Sequence, residues 1–197
     1  FCGEDVGSFI HLPRGCAEKL TAQLDSVGIS YTVSDERQTG REIKADFKGT
    51  LYPQQADAAA KILEHDTGVL CAATAFGKTA VGAYLIAQRK VNTLVLVHNS
   101  EIMKNWVEDF EKFLQIDEDL PEYITSKGRR KKRKSVIGTL SGGRNTLGGI
   151  LDVAMITSLG QGDDVNPLIK NYGMVIMDEC HHAGAAIAED VLNAVSA

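Results

Sequence analysis

Long hydrophobic runs and paired cysteines are both missing from this chain of 197 residues. No apolar stretch approaches the ~18 residues that a membrane-spanning helix needs, and no secretory signal peptide is recognisable. The four cysteines show no C-x-x-C spacing, so we interpret them as reduced, buried or incidental thiols and not as zinc ligands. These absences predict a cytoplasmic protein that has no membrane partner.

Hydrophobic residues make up 44% of the chain, which is ample for a core. The length suits one domain with a small addition, since domains commonly hold roughly 100–200 residues. The chain begins at Phe1 and not at Met, so we expect it to be a fragment or a processed product.

A phosphate-binding loop is predicted where an apolar run, a turn and a helical stretch follow one another. Residues 68–73 are expected to form a buried strand, and Gly77-Lys78-Thr79 opens a helix predicted over 78–89. Backbone N–H groups at such a helix start can cradle the phosphates of ATP. In this pattern Lys78 reaches the β- and γ-phosphates and Thr79 ligates magnesium. The alternative is a chance Gly-Lys-Thr before a helix. The expected phosphate-binding residues are Thr74, Ala75, Phe76, Gly77, Lys78, Thr79 and Ala80.

Two adjacent carboxylates follow a second predicted strand over 174–177. Asp178 and Glu179 stand at its carboxyl end, where parallel α/β sheets place their ligands. Asp178 can hold magnesium, usually through water, and Glu179 can polarise the attacking water as a general base. The alternative is an acidic strand end that caps the next helix. Lys78, Asp178 and Glu179 are therefore the candidate catalytic residues.

These motifs, in this order, resemble those of superfamily 2 helicases. Asp178-Glu179-Cys180-His181 is similar to the DExH box, and residues 47–55 are similar to the adenine-reading Q motif. The resemblance extends from about Phe47 onward and implies an ATP-dependent motor that uses magnesium. It also implies that Gln55 reads the adenine edge and that His181 couples the nucleotide site to neighbouring motifs. Similar patterns occur in repair helicases of the xeroderma-pigmentosum-B type, in motor subunits of type III restriction enzymes and in bacterial helicases of primase-linked conflict systems.

Two further segments resemble helicase motifs that contact nucleic acid. Residues 94–106 are similar to motif Ia, and residues 152–159 are similar to motif Ib. The resemblance implies contacts to nucleic acid, DNA being favoured over RNA, from His98, Asn99 and Ser158. Asn99 stands where the family has Arg, and Met155 stands where it has Thr.

A basic run lies between these two segments. Seven of the eight positions from 127 to 134 are Lys or Arg, although the whole chain has a net charge of −5. A concentrated positive patch on a loop or hairpin suits contact with nucleic-acid phosphates. The alternative is a solvated loop without a partner, which charge runs commonly are. The candidate contacts are Arg129, Arg130, Lys131, Lys132 and Arg133.

Alternating strands and helices from residue 51 onward predict a parallel α/β sheet with helices on both faces. By resemblance, residues 47–197 form a RecA-like ATP-binding lobe. Before it, a strand over 8–12, a helix over 14–27 and a strand over 29–33 predict a small β-α-β accessory module at residues 1–46. This module either contacts DNA or extends the packing of the lobe.

The chain ends before the S-A-T motif of the family, so the resemblance implies a second lobe in the full-length chain. We therefore expect the full-length protein to be an ATP-dependent DNA helicase or translocase, and this fragment alone to be nearly inactive. The alternative is a binding module for nucleic acid or protein with a vestigial nucleotide site, which the departures at Ala75, Asn99 and Met155 favour.

Overall fold

The structure is a computed structural model that describes residues 4–11, 16–34, 39–124, 128–161, 164–182 and 186–195. The chain divides into two compact units, Phe1–Glu36 and Arg37–Ala197. The division lies earlier than the boundary near residue 46 that the sequence suggested, because Ile43 and Ala45 are buried in the core of the second unit.

The first unit has an order of elements that differs from the expected β-α-β. Its elements are β1 (Glu4–Val6), β2 (Phe9–His11) and α1 (Ala17–Ser26). β1 and β2 form an antiparallel hairpin. Residues 29–33, predicted as a strand, have no regular secondary structure and are exposed. Alternating apolar residues form a strand only where a neighbouring backbone completes the hydrogen-bond ladder.

The second unit contains most of the regular structure. Its strands are β3 (Ala45–Phe47), β4 (Thr93–Val97), β5 (Leu114–Ile116), β6 (Glu122–Ile124), β7 (Arg130–Lys132), β8 (Ile137–Ser141), β9 (Arg144–Asn145), β10 (Leu151–Met155), β11 (Gly160–Gln161), β12 (Asp164–Val165) and β13 (Met174–Met177). Its helices are α2 (Pro53–Leu63), α3 (Lys78–Arg89), α4 (Ser100–Phe113), α5 (Ile156–Leu159) and α6 (Ala186–Ala194), with 3₁₀ turns at Pro167–Asn171 and Cys180–His182.

The central sheet has the strand order β13-β4-β10-β8-β9. Its first four strands run parallel, and β9 is antiparallel to β8. The short ladders β3–β5, β6–β7 and β11–β12 are separate antiparallel pairs. This arrangement confirms the expected α/β architecture with a mostly parallel sheet. No helix within the described ranges is both long enough and apolar enough to cross a membrane.

Both faces of β4 are buried. Successive side chains of a strand point to opposite faces, so Val95 and Val97 pack with the aromatic side chains of α4, Trp106 and Phe110. Their neighbours on β4 pack into a second cluster that contains residues of α6. Burial on both faces is what produces the near-continuous apolar run of a parallel strand.

The prediction of a buried strand over 68–73 is wrong. These residues have no regular secondary structure, and Val69 is 76% exposed. Among the described residues, β13 pairs with β4 alone. The edge of the central sheet is therefore β13 and not a strand over 68–73. Apolar composition alone does not distinguish a strand paired in a sheet from an apolar segment outside it.

A buried carboxylate ties β10 to the elements around it. Asp152 is fully buried and accepts hydrogen bonds from the Gly148 N–H at 3.0 Å, the Gly149 N–H at 2.7 Å and the Tyr172 hydroxyl at 2.6 Å. Burial raises the pKa of the Asp152 carboxyl, and these hydrogen bonds act in the opposite direction. Burial and the Asp152 carboxylate also raise the pKa of Tyr172, so the phenol stays protonated and keeps donating.

We expect Tyr172→Phe to lower the free energy of unfolding by about 1.5–3 kcal/mol, the usual range for a hydrogen bond to a charged group. Urea denaturation measures this loss. Because the folded-state pKa of Asp152 is raised, stability falls as pH rises through that pKa, and losing a donor deepens the fall. The loss should therefore be larger at neutral pH than in acid.

The matched control is Tyr123→Phe, which keeps the ring that lies under the Arg133 guanidinium. A loss of equal size in both variants would contradict a special role for the bond to Asp152.

Candidate nucleotide-binding site

The carboxyl ends of the parallel strands bring several predicted site residues to one edge of the sheet. β4 ends immediately before His98 and Asn99, and β13 ends immediately before Asp178 and Glu179. Ser158 lies in α5, which follows β10 directly. This edge is where open parallel α/β sheets bind their ligands.

The predicted phosphate loop has the conformation of an anion cradle. Ala75 and Gly77 both have positive φ, 64° and 85°. α3 begins at Lys78, so its first N–H groups and the positive end of its dipole face the loop. Thr74 is exposed in the turn, whereas Ala80 is buried in the first turn of α3.

Gln55 joins this loop to α2. Its Oε1 accepts from the Tyr52 N–H at 2.9 Å and thereby satisfies a free donor at the start of α2. Its Nε2 donates to the carbonyl of Phe76 at 2.6 Å. Gln55 is almost fully buried, so its side chain fixes Phe76 of the predicted phosphate loop against α2.

The two halves of the predicted site are in contact. Lys78 Nζ lies 3.6 Å from Glu179 Oε1, and His181 Nδ1 lies 3.3 Å from Glu179 Oε2. Both Lys78 and Glu179 are about one-third exposed, and ion pairs with this degree of exposure are weak. Lys78 can therefore exchange Glu179 for a phosphate at little cost.

The backbone at Glu179 adopts an unusual conformation. Its φ is 53°, in the left-handed region that non-glycine residues rarely occupy. Residues held in such conformations cluster at functional sites, and each costs roughly 1–3 kcal/mol. Glu179 also donates its backbone N–H to Asp178 Oδ1 at 2.9 Å, which orients the Asp178 carboxylate.

Trp106, a residue of the hydrophobic core, contacts the site directly. The residue is 2% exposed, and its Nε1–H donates to Asp178 Oδ2 at 2.8 Å. The same side chain thus fills the core and orients a predicted metal-binding carboxylate.

Asp109 is a site residue that the sequence reasoning missed. The hydroxyl of Thr79 donates to Asp109 Oδ2 at 2.5 Å. Asp109 lies three positions after Trp106 on α4, and residues at that spacing share a helix face. That spacing is the signal in the sequence that could have identified Asp109. It does not indicate which face of α4 meets the phosphate loop.

These side chains fit ATP with magnesium. The Thr79 hydroxyl and the Asp178 carboxylate are hard oxygen donors, which magnesium prefers. Proteins usually bind magnesium through one or two carboxylates together with substrate phosphates. The backbone also requires glycine at position 77, where a Cβ would lie 2.6 Å from Gln55 Nε2.

Two predicted nucleic-acid contacts make hydrogen bonds inside the chain. Asn99 caps α4, since its side chain accepts from the Ile102 N–H at 2.8 Å. Ser158 Oγ accepts from the Gly142 N–H at 3.2 Å. Asn99 is exposed, and His98 and Ser158 are half-buried, so all three reach the surface at this edge.

Three residues of the basic run form a strand of a two-stranded ladder that is separate from the central sheet, and Lys127 lies outside the described residues. β7 pairs with β6, and its residues Arg130, Lys131 and Lys132 are all exposed. Arg129 precedes β7 and is exposed as well. Arg133 differs, because its guanidinium lies 4.3 Å from the centre of the Tyr123 ring.

The cysteines are more exposed than expected. Cys16, Cys71 and Cys180 are exposed free thiols. In the part of the chain that the structure describes, no group of three or more His, Cys, Asp or Glu residues forms a metal-binding cluster.

Comparison with known proteins gives consistent matches. The family model described as type III restriction enzyme, res subunit, matches residues 48–197. A protein of Acanthamoeba polyphaga mimivirus, named as a candidate ATP-dependent RNA helicase, is 28% identical over 197 residues, covering 96% of this chain and 33% of that protein. The DNA 3'-5' translocase XPB2 of Sulfurisphaera tokodaii is 24% identical over 132 residues, covering 67% of this chain and 25% of that protein.

One solved structure shows the same fold. The UvsW helicase from bacteriophage T4 matches with a TM-score of 0.63 and 16% identity, over 97% of this chain and 70% of that chain. This chain spans about a third or less of the two curated relatives described above.

We expect Gly77→Ala to weaken ATP binding about tenfold or more. A left-handed conformation costs an alanine roughly 1–2 kcal/mol, and about 1.4 kcal/mol is a tenfold change in affinity. The added Cβ would also push Gln55 away from the loop. Titration with a fluorescent ATP analogue measures the affinity.

Gly68→Ala is the matched control, because its Cβ would meet only Ile62 atoms at ordinary distances of 3.9–4.0 Å. If both variants bound the analogue as tightly as the unmodified protein, the phosphate loop would not have this conformation.

Proposed function

Because this chain belongs to the family of type III restriction enzyme res subunits and forms the first motor lobe of a superfamily 2 helicase, we propose that it binds and hydrolyses ATP to drive movement on nucleic acid. The observation that carries this proposal is the 3.6 Å contact between Lys78 of the phosphate loop and Glu179 of the DExH box. It brings the group that would bind the transferred phosphate together with the group that would activate water.

Each polar side chain of the site has a role in this proposal. Lys78 leaves Glu179 and binds the β- and γ-phosphates of ATP, which frees one Glu179 oxygen to accept a proton from the attacking water. His181 stays on the other Glu179 oxygen and orients the carboxylate. Thr79 and Asp178 would hold magnesium, which when bound neutralises the charge that develops on the phosphates.

Gln55 is proposed to recognise adenine. Its amide already bridges α2 and the phosphate loop through Tyr52 and Phe76. A base bound at this amide would therefore act on the same backbone segment that binds the phosphates. This connection supports a site in which recognition of the base and closure of the loop occur together.

Nucleic acid is proposed to lie along the edge of the sheet formed by His98, Asn99 and Ser158. These residues follow β4 and β10, whereas Asp178 and Glu179 follow β13 and contact Lys78 at the start of α3. Nucleic acid and nucleotide would therefore share one edge of the sheet. The similarity to a DNA translocase supports DNA as the track. The exposed hairpin residues Arg129 to Lys132 would add contacts to phosphates.

A second lobe is proposed to complete the motor. The chain spans about a third or less of the curated relatives it matches. Arginine fingers from another element raise the rate of related nucleotide hydrolases by about 10³–10⁵. Residues 1–197 by themselves would then bind ATP weakly and hydrolyse it very slowly.

In the full-length protein, we expect nucleic acid to stimulate ATP hydrolysis, and we expect Glu179→Gln to abolish that hydrolysis while ATP still binds. Lys78→Ala should also abolish hydrolysis and, unlike Glu179→Gln, should weaken ATP binding. The assay measures phosphate release with single-stranded and double-stranded DNA and RNA, and the most effective polymer identifies the track.

Glu64→Gln, an exposed change at the end of α2, is the control and should leave the rate unchanged. If ATP binds but no polymer stimulates its hydrolysis, the proposed motor function is wrong. The protein would then be a binding module whose nucleotide site is vestigial.

The hairpin formed by β6 and the basic strand β7 leads to a separate prediction. We expect Lys131→Ala with Lys132→Ala to weaken DNA binding uniformly across sequences, because phosphate contacts carry no sequence information. The slope of log affinity against log salt should become shallower by about 0.7–0.9 for each phosphate that the double variant no longer neutralises. Fluorescence anisotropy over a salt series measures both effects.

Lys61→Ala, which removes an exposed lysine from α2, is the control. An unchanged slope in the double variant would show that the hairpin is solvated and makes no contact with DNA.

A further inference from the structure

Helix α4 contacts both halves of the proposed ATP site. Trp106 donates to Asp178 of the DExH box at 2.8 Å, and Asp109 accepts from Thr79 of the phosphate loop at 2.5 Å. The two residues lie three positions apart, so they share one face of the helix. The Trp106 side chain is anchored by burial, and it holds this face of α4 against both motifs.

The bond between Thr79 and Asp109 has a direct consequence for metal binding. A threonine hydroxyl has one hydrogen to donate and lone pairs that accept or ligate. When the hydrogen is donated to a carboxylate, the lone pairs are free to face a cation. A carboxylate acceptor also makes the bond shorter and stronger than a neutral one, so it fixes the hydroxyl in one orientation.

We propose that Asp109 is a positioning residue of the magnesium site, which holds the hydroxyl proton of Thr79 away from the metal and so directs the hydroxyl oxygen towards it. The inference rests on the proposed ATP-dependent function. It adds a residue outside the phosphate loop and the DExH box, and it assigns α4 a part in metal binding.

The electrostatics of the position support this assignment. Asp109 is half-buried, and its carboxylate contacts Thr79 in the first turn of α3, beside the loop that would bind phosphates. A carboxylate there repels phosphate oxygens unless a cation lies between them. Asp109 should therefore disfavour ATP without metal and favour ATP with magnesium, which makes binding depend strongly on the ion.

The experiment is a magnesium titration of ATP binding to the full-length protein, with a fluorescent non-hydrolysable ATP analogue as the probe. We expect Asp109→Ala to raise the magnesium concentration for half-maximal binding by about 10–100-fold, the usual effect of losing a partner that orients a metal ligand. In EDTA the same variant should bind the analogue as tightly as the unmodified protein, or more tightly.

Glu108→Ala is the matched control. Glu108 is the adjacent acidic residue on α4 and is exposed, so its removal changes the net charge equally without touching Thr79. It should leave the magnesium titration unchanged. Asp109→Asn, which keeps the shape of the side chain, should shift the titration in the same direction by a smaller factor.

A double-mutant cycle tests whether Asp109 acts through Thr79. Thr79→Ala should itself raise the magnesium requirement, and adding Asp109→Ala to it should raise the requirement little further. Independent effects that multiply would overturn the proposed route through the hydroxyl.

The outcomes separate this inference from the proposed function. If the unmodified protein binds the analogue with no dependence on magnesium, or does not bind it, the proposed function itself fails. If the unmodified protein shows the dependence and both Asp109 variants match it, or need less magnesium, the function stands and the role of Asp109 is overturned.

Discussion

The parallel pairing of β13 with β4 positions the other parts of the site. Met177 pairs with Leu96, and the Asp178 N–H continues the ladder by donating to the Leu96 carbonyl at 3.0 Å. A slip of one residue would turn every side chain of β13 to the opposite face and carry both carboxylates away from the phosphate loop. Ile176 of β13 packs against one apolar cluster and Val175 and Met177 pack against the other, so such a slip would disrupt both.

Helix α4 shows how one element serves stability and chemistry together. Trp106 and Phe110 pack in the core with Val95 and Val97 of β4, which fixes the position of the helix. The same packing places the indole N–H of Trp106 against Asp178 and the carboxylate of Asp109 against Thr79. The polar contacts are held by a rigid apolar layer and therefore need no support from surface ion pairs, which are weak.

The sequence predicted the elements whose signals are local. The start of α3 at Lys78 and the strand that ends before Asp178 agree with the structure because turn, strand and helix patterns are read from adjacent residues. The predictions for 29–33 and 68–73 are wrong because a strand needs a partner backbone, which its own composition does not specify. The unit boundary lies earlier than expected because Ile43 and Ala45 are buried in a core that distant residues build.

By itself, the sequence determined the family resemblance, the phosphate loop and the paired carboxylates, since each is a short motif whose chemistry depends on neighbouring residues. Only the tertiary structure decided which distant side chains meet, both in the proposed site and around the buried Asp152. Thr79 and Asp109 are 30 positions apart, Trp106 and Asp178 are 72 apart, and Asp152 and Tyr172 are 20 apart. No local pattern encodes such pairs, because they meet only when the packing of helices on the sheet fixes which faces are in contact.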